Sequence, residues 1–139
     1  MRKRAFEGIK VGDKRTFSKL ITENDVKEFA TITGDCAPIH LDDNFARETA
    51  FRSRIVHGMF TAGLISAALS KFPGVIIYLS QGLHFLKPVR IGDNIEAIVE
   101  VLEKIDGRSE LQLKTACKNE KNEVVIEGEA RVKVMEILG

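Results

Sequence analysis

His57–Phe72 reads HGMFTAGLISAALSKF. It is apolar on every side of a 3.6-residue period and runs into Pro73-Gly74, a pair that stops helices. The spacing predicts a helix from about His57 to Phe72, wrapped by other elements, with Gly63, Ala62, Ala67 and Ala68 letting those neighbours come close. The uncharged run Ile55 to Ser70 contains His57, Gly58, Thr61 and Ser66, which makes it short and polar for a membrane span.

Toward the C terminus the period changes to two. Residues 75–86 are mostly apolar and rich in Val, Ile, Tyr and Phe. In 94–104, Ile95, Ala97, Val99 and Val101 share one face and Glu96 and Glu100 the other. Asp106-Gly107 signals a hairpin, after which Leu111, Leu113, Thr115 and Cys117 repeat the alternation. A polar turn near 119–122 leads to a segment in which Val124, Ile126, Gly128, Ala130, Val132 and Val134 oppose Val125, Glu127, Glu129, Arg131 and Lys133. One long apolar helix followed by an antiparallel meander implies an α+β domain whose sheet curls around the helix, with open edges that invite a second subunit.

Toward the N terminus, residues 14–21 have strand character. Ile21-Thr22-Glu23-Asn24-Asp25-Val26 then reads as a helix start, with Thr22 as cap, Asp25 near the positive dipole end and Ile21 stapled to Val26. That helix is expected to reach Thr33, bury Val26, Phe29 and Ala30, and stop at Gly34. No linker or repeat divides the chain, so residues 1–139 read as a single domain.

Composition excludes several functions. Twenty-one Lys and Arg against twenty Asp and Glu leave a net charge of +1, too little positive field for a nucleic-acid partner. The cluster Arg2-Lys3-Arg4 is followed by no apolar run and does not read as an export signal. Two cysteines, Cys36 and Cys117, make neither a disulfide framework nor a zinc set, which fits a cytoplasmic protein.

Gly34-Asp35-Cys36-Ala37-Pro38-Ile39-His40-Leu41-Asp42-Asp43 fits neither period. Pro38 disfavours helix at Ala37, so Asp35 and His40 fall on an extended or turning loop, before a possible helical turn at Asn44 to Thr49. A carboxylate and an imidazole so placed can reach one water and supply a proton acceptor and a donor near pH 7. From spacing alone, Asp35 could equally cap a helix and His40 be an ordinary loop histidine. Cys36 with His40 can be drawn as a dyad, and Asp35, His40, Asp42 and Asp43 as a metal site, although Asp42 and Asp43 more simply cap the next turn.

Gly58 opens the central helix, where backbone N–H groups lack helical partners and lie at the positive dipole end. A ligand oxygen, such as a thioester carbonyl developing enolate charge, could be held there; close packing would explain the glycine equally. Ala62, Ile65 and Leu69 recur on the face of Gly58 and are candidates for an acyl-pocket wall or for ordinary core. Lys87 and Arg90 could meet phosphates or be solvated surface.

Together, GDCAPIHLD, FRSRIVHGMFTAGLIS and IYLSQGLHFLKPVRIGD resemble, in order and spacing over about residues 10–135, the hydratase-2 or MaoC-like (R)-specific enoyl-CoA hydratases. The resemblance implies the hot-dog fold, a sheet wrapped around a long helix, in a homodimer whose sheets join edge to edge. It places the catalytic pair on Asp35 and His40, the oxyanion-hole amide on Gly58 and a site-lining polar residue on Ser66. The implied reaction is reversible syn addition of water to a trans-2-enoyl thioester of coenzyme A or acyl carrier protein, with no metal or organic cofactor. The family motif Gly-Asp-x-Asn-Pro-aliphatic-His has Ala37 in place of Asn here. Ala37 cannot pin the loop through a side chain, which leaves the pair to be held by other groups, the activity lowered or the substrate changed. Two other readings are an acyl-CoA thioesterase on the same fold and a non-catalytic acyl-thioester-binding domain.

Overall fold

The computed structural model describes residues 4–138; Arg2 and Lys3 of the basic cluster lie outside the described residues. In chain order the elements are α1 (Ala5–Gly8), β1 (Lys14–Leu20), α2 (Glu23–Thr33), α3 (Pro38–Leu41), α4 (Asp43–Arg47), α5 (Gly58–Leu69), β2 (Val75–Phe85), β3 (Asn94–Ile105), a 3-10 turn (Asp106–Arg108), β4 (Glu110–Lys118) and β5 (Val124–Met135). The five strands form one antiparallel sheet in the order β1-β3-β4-β5-β2. The sheet curls around α5, which is the hot-dog arrangement.

The period-two faces become the core. Ile95, Ala97 and Val99 of β3 and Leu111, Leu113, Thr115 and Cys117 of β4 are all 0 % exposed, as Val132 of β5 is. At about 1.5–3 kcal/mol per fully buried large aliphatic side chain, this face is a main source of the fold's stability. The sheet departs from a simple meander at β2, which leaves α5 and pairs with β5 at the far edge rather than with β3. The Asp106-Gly107 signal closes the β3–β4 hairpin through a 3-10 turn with Ser109 left-handed at φ 53°, longer than a two-residue turn.

α2 begins as its residues dictate: the Asp25 N–H donates to the Thr22 hydroxyl at 3.1 Å, and the Thr22 N–H donates to the Asp25 carboxylate at 2.8 Å. Burial pushes the Asp25 carboxyl up, but the Thr22 amide, Lys19 and the Thr22 hydroxyl outweigh it and hold the group below its ordinary value. Gly34 ends α2 at φ 84°, a conformation that a Cβ resists.

Two expectations about α5 need correction. The helix stops at Leu69, and residues 70–74 form turns ahead of the strand. Nor is it wrapped on every side: Leu64, Ile65, Ala68 and Leu69 face the sheet, whereas Met59, Gly63, Ser66 and Ser70 form an exposed stripe. A single sheet can cover only part of a helix's circumference, and here the open part carries small and polar residues beside one methionine.

Candidate active site

The segment between α2 and α5 is held by hydrogen bonds to main-chain carbonyls and to nearby side-chain oxygens. Ala37 is extended, as its place before Pro38 requires, but Pro38 itself opens the one-turn α3, so His40 sits on a helical turn rather than in extended chain. The Asp35 N–H donates to the Thr33 hydroxyl at 3.2 Å, and the Ala37 N–H donates to Asp35 Oδ1 at 3.3 Å. The carboxylate thereby keeps its second oxygen for another partner.

His40 lies against the segment that enters α5. Its Nδ1 is 2.8 Å from the Ile55 carbonyl oxygen, which can only accept, so Nδ1 carries the proton and Nε2 presents a lone pair. Behind it, Arg54, 9 % exposed, donates from Nε to the His40 carbonyl at 2.7 Å and pairs through NH1 with Glu23 at 3.0 Å. His57 is 2 % exposed; its Nε2 lies 2.9 Å from the Asp35 carbonyl oxygen and its ring stacks on that of His40 with centroids 3.9 Å apart. Asp35, His40 and His57 each offer a ligand-type atom within 4.8 Å of the others, a spacing that suits one small species such as water or a cation. The other acidic residues drawn as metal ligands point elsewhere: Asp42 accepts the Phe45 N–H at 3.1 Å as the cap of α4, and Asp43 lies 3.7 Å from Arg54.

Gly58 follows His57 and is the first residue of α5, so its N–H has no intrahelical acceptor. A Cβ there would stand 2.8 Å from the ring of Phe85, so a larger residue at this position requires that half-exposed side chain to move. The remaining sequence-predicted residues divide. Gly58 borders a largely apolar cavity of about 360 Å³ with Val56, Thr61, Phe85 and Ile126. Ala62 and Ser66 line a separate groove of about 350 Å³ with Met59, Tyr78, Leu79 and Gln81. Ile65 and Leu69 line neither; at 0 % and 2 % exposed they belong to the core, because the sheet closes over the face of α5 that only its first residue leaves open. Lys87 pairs with Glu123, and Arg90 donates to the Phe51 and Ser53 carbonyls, so both cations are engaged within the chain. Cys36 is exposed, with its thiol 3.7 Å from the Ala30 carbonyl rather than on His40.

Neither Arg54 nor the His57 side chain is marked out by the sequence patterns. The available signal was an arginine and a histidine three apart within Arg54-Ile55-Val56-His57, just ahead of a buried helix. Polar side chains there need partners: each finds a main-chain carbonyl, Arg54 that of His40 and His57 that of Asp35, and Arg54 also pairs with Glu23.

Comparison with known proteins agrees with this architecture. The chain is 50 % identical over 131 residues to a 3-hydroxybutyryl-CoA dehydratase from Methylorubrum extorquens, covering 93 % of this chain and 83 % of the relative. It is 42 % identical over 131 residues to an (R)-specific enoyl-CoA hydratase from Rhodospirillum rubrum, covering 93 % and 90 %. Among solved structures, the (R)-hydratase from Aeromonas caviae superposes with a TM-score of 0.88 at 38 % identity, covering 92 % of this chain and 98 % of that one. Residues 8–124 match the model described as a MaoC like domain, and the chain belongs to that family.

Proposed function

We propose that this protein is an (R)-specific hydro-lyase that adds water across the double bond of a trans-2-enoyl thioester and, in reverse, dehydrates the (3R)-3-hydroxyacyl thioester. The observation that carries the chemistry is the His40 tautomer: with Nδ1–H given to the Ile55 carbonyl, Nε2 is left as the acceptor of a ring that has a nitrogen within 4.8 Å of an Asp35 carboxylate oxygen. A water held between them loses one proton to His40 Nε2 as its oxygen bonds to C3, while Asp35 accepts the other O–H and orients the attack. The C2–C3 π pair moves onto C2 and the thioester oxygen, where the Gly58 N–H receives the developing charge. His40 Nε2–H then delivers its proton to C2 on the same face, which makes the addition syn and restores the resting tautomer.

The whole chain acts as one catalytic domain. No metal or organic cofactor is needed, since coenzyme A or acyl carrier protein arrives as part of the substrate, and a chelator should leave the rate unchanged. The functional unit is a homodimer. Support comes from β2, an edge strand of eleven residues with Val75, Ile77, Tyr78, Leu79 and Phe85 each at least 40 % exposed, next to the open stripe of α5. Pairing two such edges would cover both features. No described helix is long and apolar enough to cross a membrane; the two free cysteines support a cytoplasmic site of action.

The test mixes the protein with crotonyl-CoA and follows enoyl absorbance and free thiol together. Loss of the enoyl signal without thiol, giving the 3R product, is expected. Thiol release at the same rate would mark a thioesterase, and binding without turnover would mark a binding domain.

A further inference from the structure

We propose that His57 is the positioning residue that fixes the distance between the Asp35 carboxylate and the Gly58 amide. The inference rests on the hydratase reading, and it concerns a residue whose side chain that reading does not use. The other ties at Asp35–Ala37 are local, Asp35 to Thr33, Cys36 to Gly34 and Ala37 to Asp35, whereas the long-range ties to Arg54 and Ile55 lie beyond Pro38, at Ile39 and His40. Local bonds shape a turn but do not set where it sits relative to α5. Ala37 has no side-chain group with which to add a longer tie. The Nε2–H of His57 does so, reaching the Asp35 carbonyl across 22 positions of sequence at 2.9 Å.

The surroundings of the ring fit a spacer. Phe29 of α2 packs on it with centroids 4.8 Å apart, and the His40 ring stacks on it at 3.9 Å with a 27° tilt. Its rotamer is therefore held between two rings. Because the acceptor is a carbonyl, Nε2 must carry the proton, and one tautomer follows. Nδ1 is then left buried with no hydrogen-bond partner among the described residues. An orphaned buried nitrogen is a cost that packing alone does not require, since an apolar ring would fill the same space. The bond to Asp35 accounts for the histidine. His57 immediately precedes Gly58, so a single imidazole spans from the base loop to the N–H that receives the thioester oxygen. Walled in by Phe29 and His40, it acts through Asp35 and not on substrate.

The test compares His57→Phe and His57→Met, which keep bulk without a donor, with His57→Gln, whose amide N–H has similar reach. Using crotonyl-CoA, the Phe and Met variants should lose kcat by about 10²-fold, the scale of a 1 Å misplacement, with KM within about threefold. His57→Gln should recover most of that loss. Wild-type protein labelled with 15N at histidine should show a slowly exchanging His57 Nε2 proton. The proposal is overturned if the donor-free variants stay within about threefold of wild type in kcat, if Gln rescues no better than Met, or if both donor-free variants fail to fold. A wild type that hydrates nothing would sink the hydratase reading alone, while the Nε2 proton signal, present or missing, would still decide whether His57 grips Asp35.

Discussion

Arg54 and His40 are joined through the backbone: the guanidinium Nε donates to the His40 carbonyl at 2.7 Å while Glu23, at the start of α2, holds NH1 at 3.0 Å. The arginine thus ties the turn bearing the His40 imidazole to the front of a capped helix. Arg54→Met keeps the stem but leaves the His40 carbonyl without its charged donor. The expected cost is about 1.5–3 kcal/mol in unfolding free energy, measured by urea titration, with kcat reduced and KM little changed.

Asp35→Asn and His40→Gln each remove a proton acceptor while keeping approximate shape. Each should lower the crotonyl-CoA hydration rate by about 10²–10⁴ and leave the melting temperature near that of the wild type. Rates within about threefold of wild type would contradict the assigned roles.

Ile65, fully buried on the sheet-facing side of α5, belongs to the core. Ile65→Ala should cost about 2–5 kcal/mol in stability, since the cavity forms in the interior. Ser66→Ala, on the exposed stripe beside the groove, should change stability by less than about 0.5 kcal/mol, and any effect it has should appear in KM. Chemical denaturation and steady-state kinetics separate the two.

The two thiols should behave oppositely. Burial pushes Cys117 up to about 12, whereas Cys36 is exposed. A thiol reagent should titrate one cysteine in native protein and two after denaturation. The unfolded thiol releases its proton near its ordinary value and the folded one keeps it. Stability is therefore unaffected below that value and falls as pH rises from it toward 12.

Leu79, 48 % exposed on edge strand β2, tests the dimer. Leu79→Lys places like charges near one another if two β2 edges pair. Light scattering should then report a shift from twice the chain mass toward the single chain.

Much of the fold was legible in the sequence because the relevant physics is local and periodic. Alternation in β3, β4 and β5 marked the buried faces, and Thr22 with Asp25 marked the start of α2, since each depends on residues a few positions apart. The pairing of β2 with β5 instead of β3 was not legible, because both strands are apolar runs and only three-dimensional closure around α5 selects the partner. The incomplete wrapping of α5 was hidden for a similar reason: hydropathy reports that a helix can be buried, not how far one sheet reaches around it.

The site divides along the same line. The chemical inventory is readable from residue types alone: a carboxylate and an imidazole on a proline-bounded loop, and a glycine opening a helix at the positive end of its dipole. Tertiary structure decided the His40 tautomer, because the Ile55 carbonyl that selects it lies 15 positions away. It also brought in Arg54 and His57, each of which donates to a main-chain carbonyl that has no side-chain signature. Backbone acceptors exist at every residue, so sequence cannot say which will be used; only the folded path of the chain through space does.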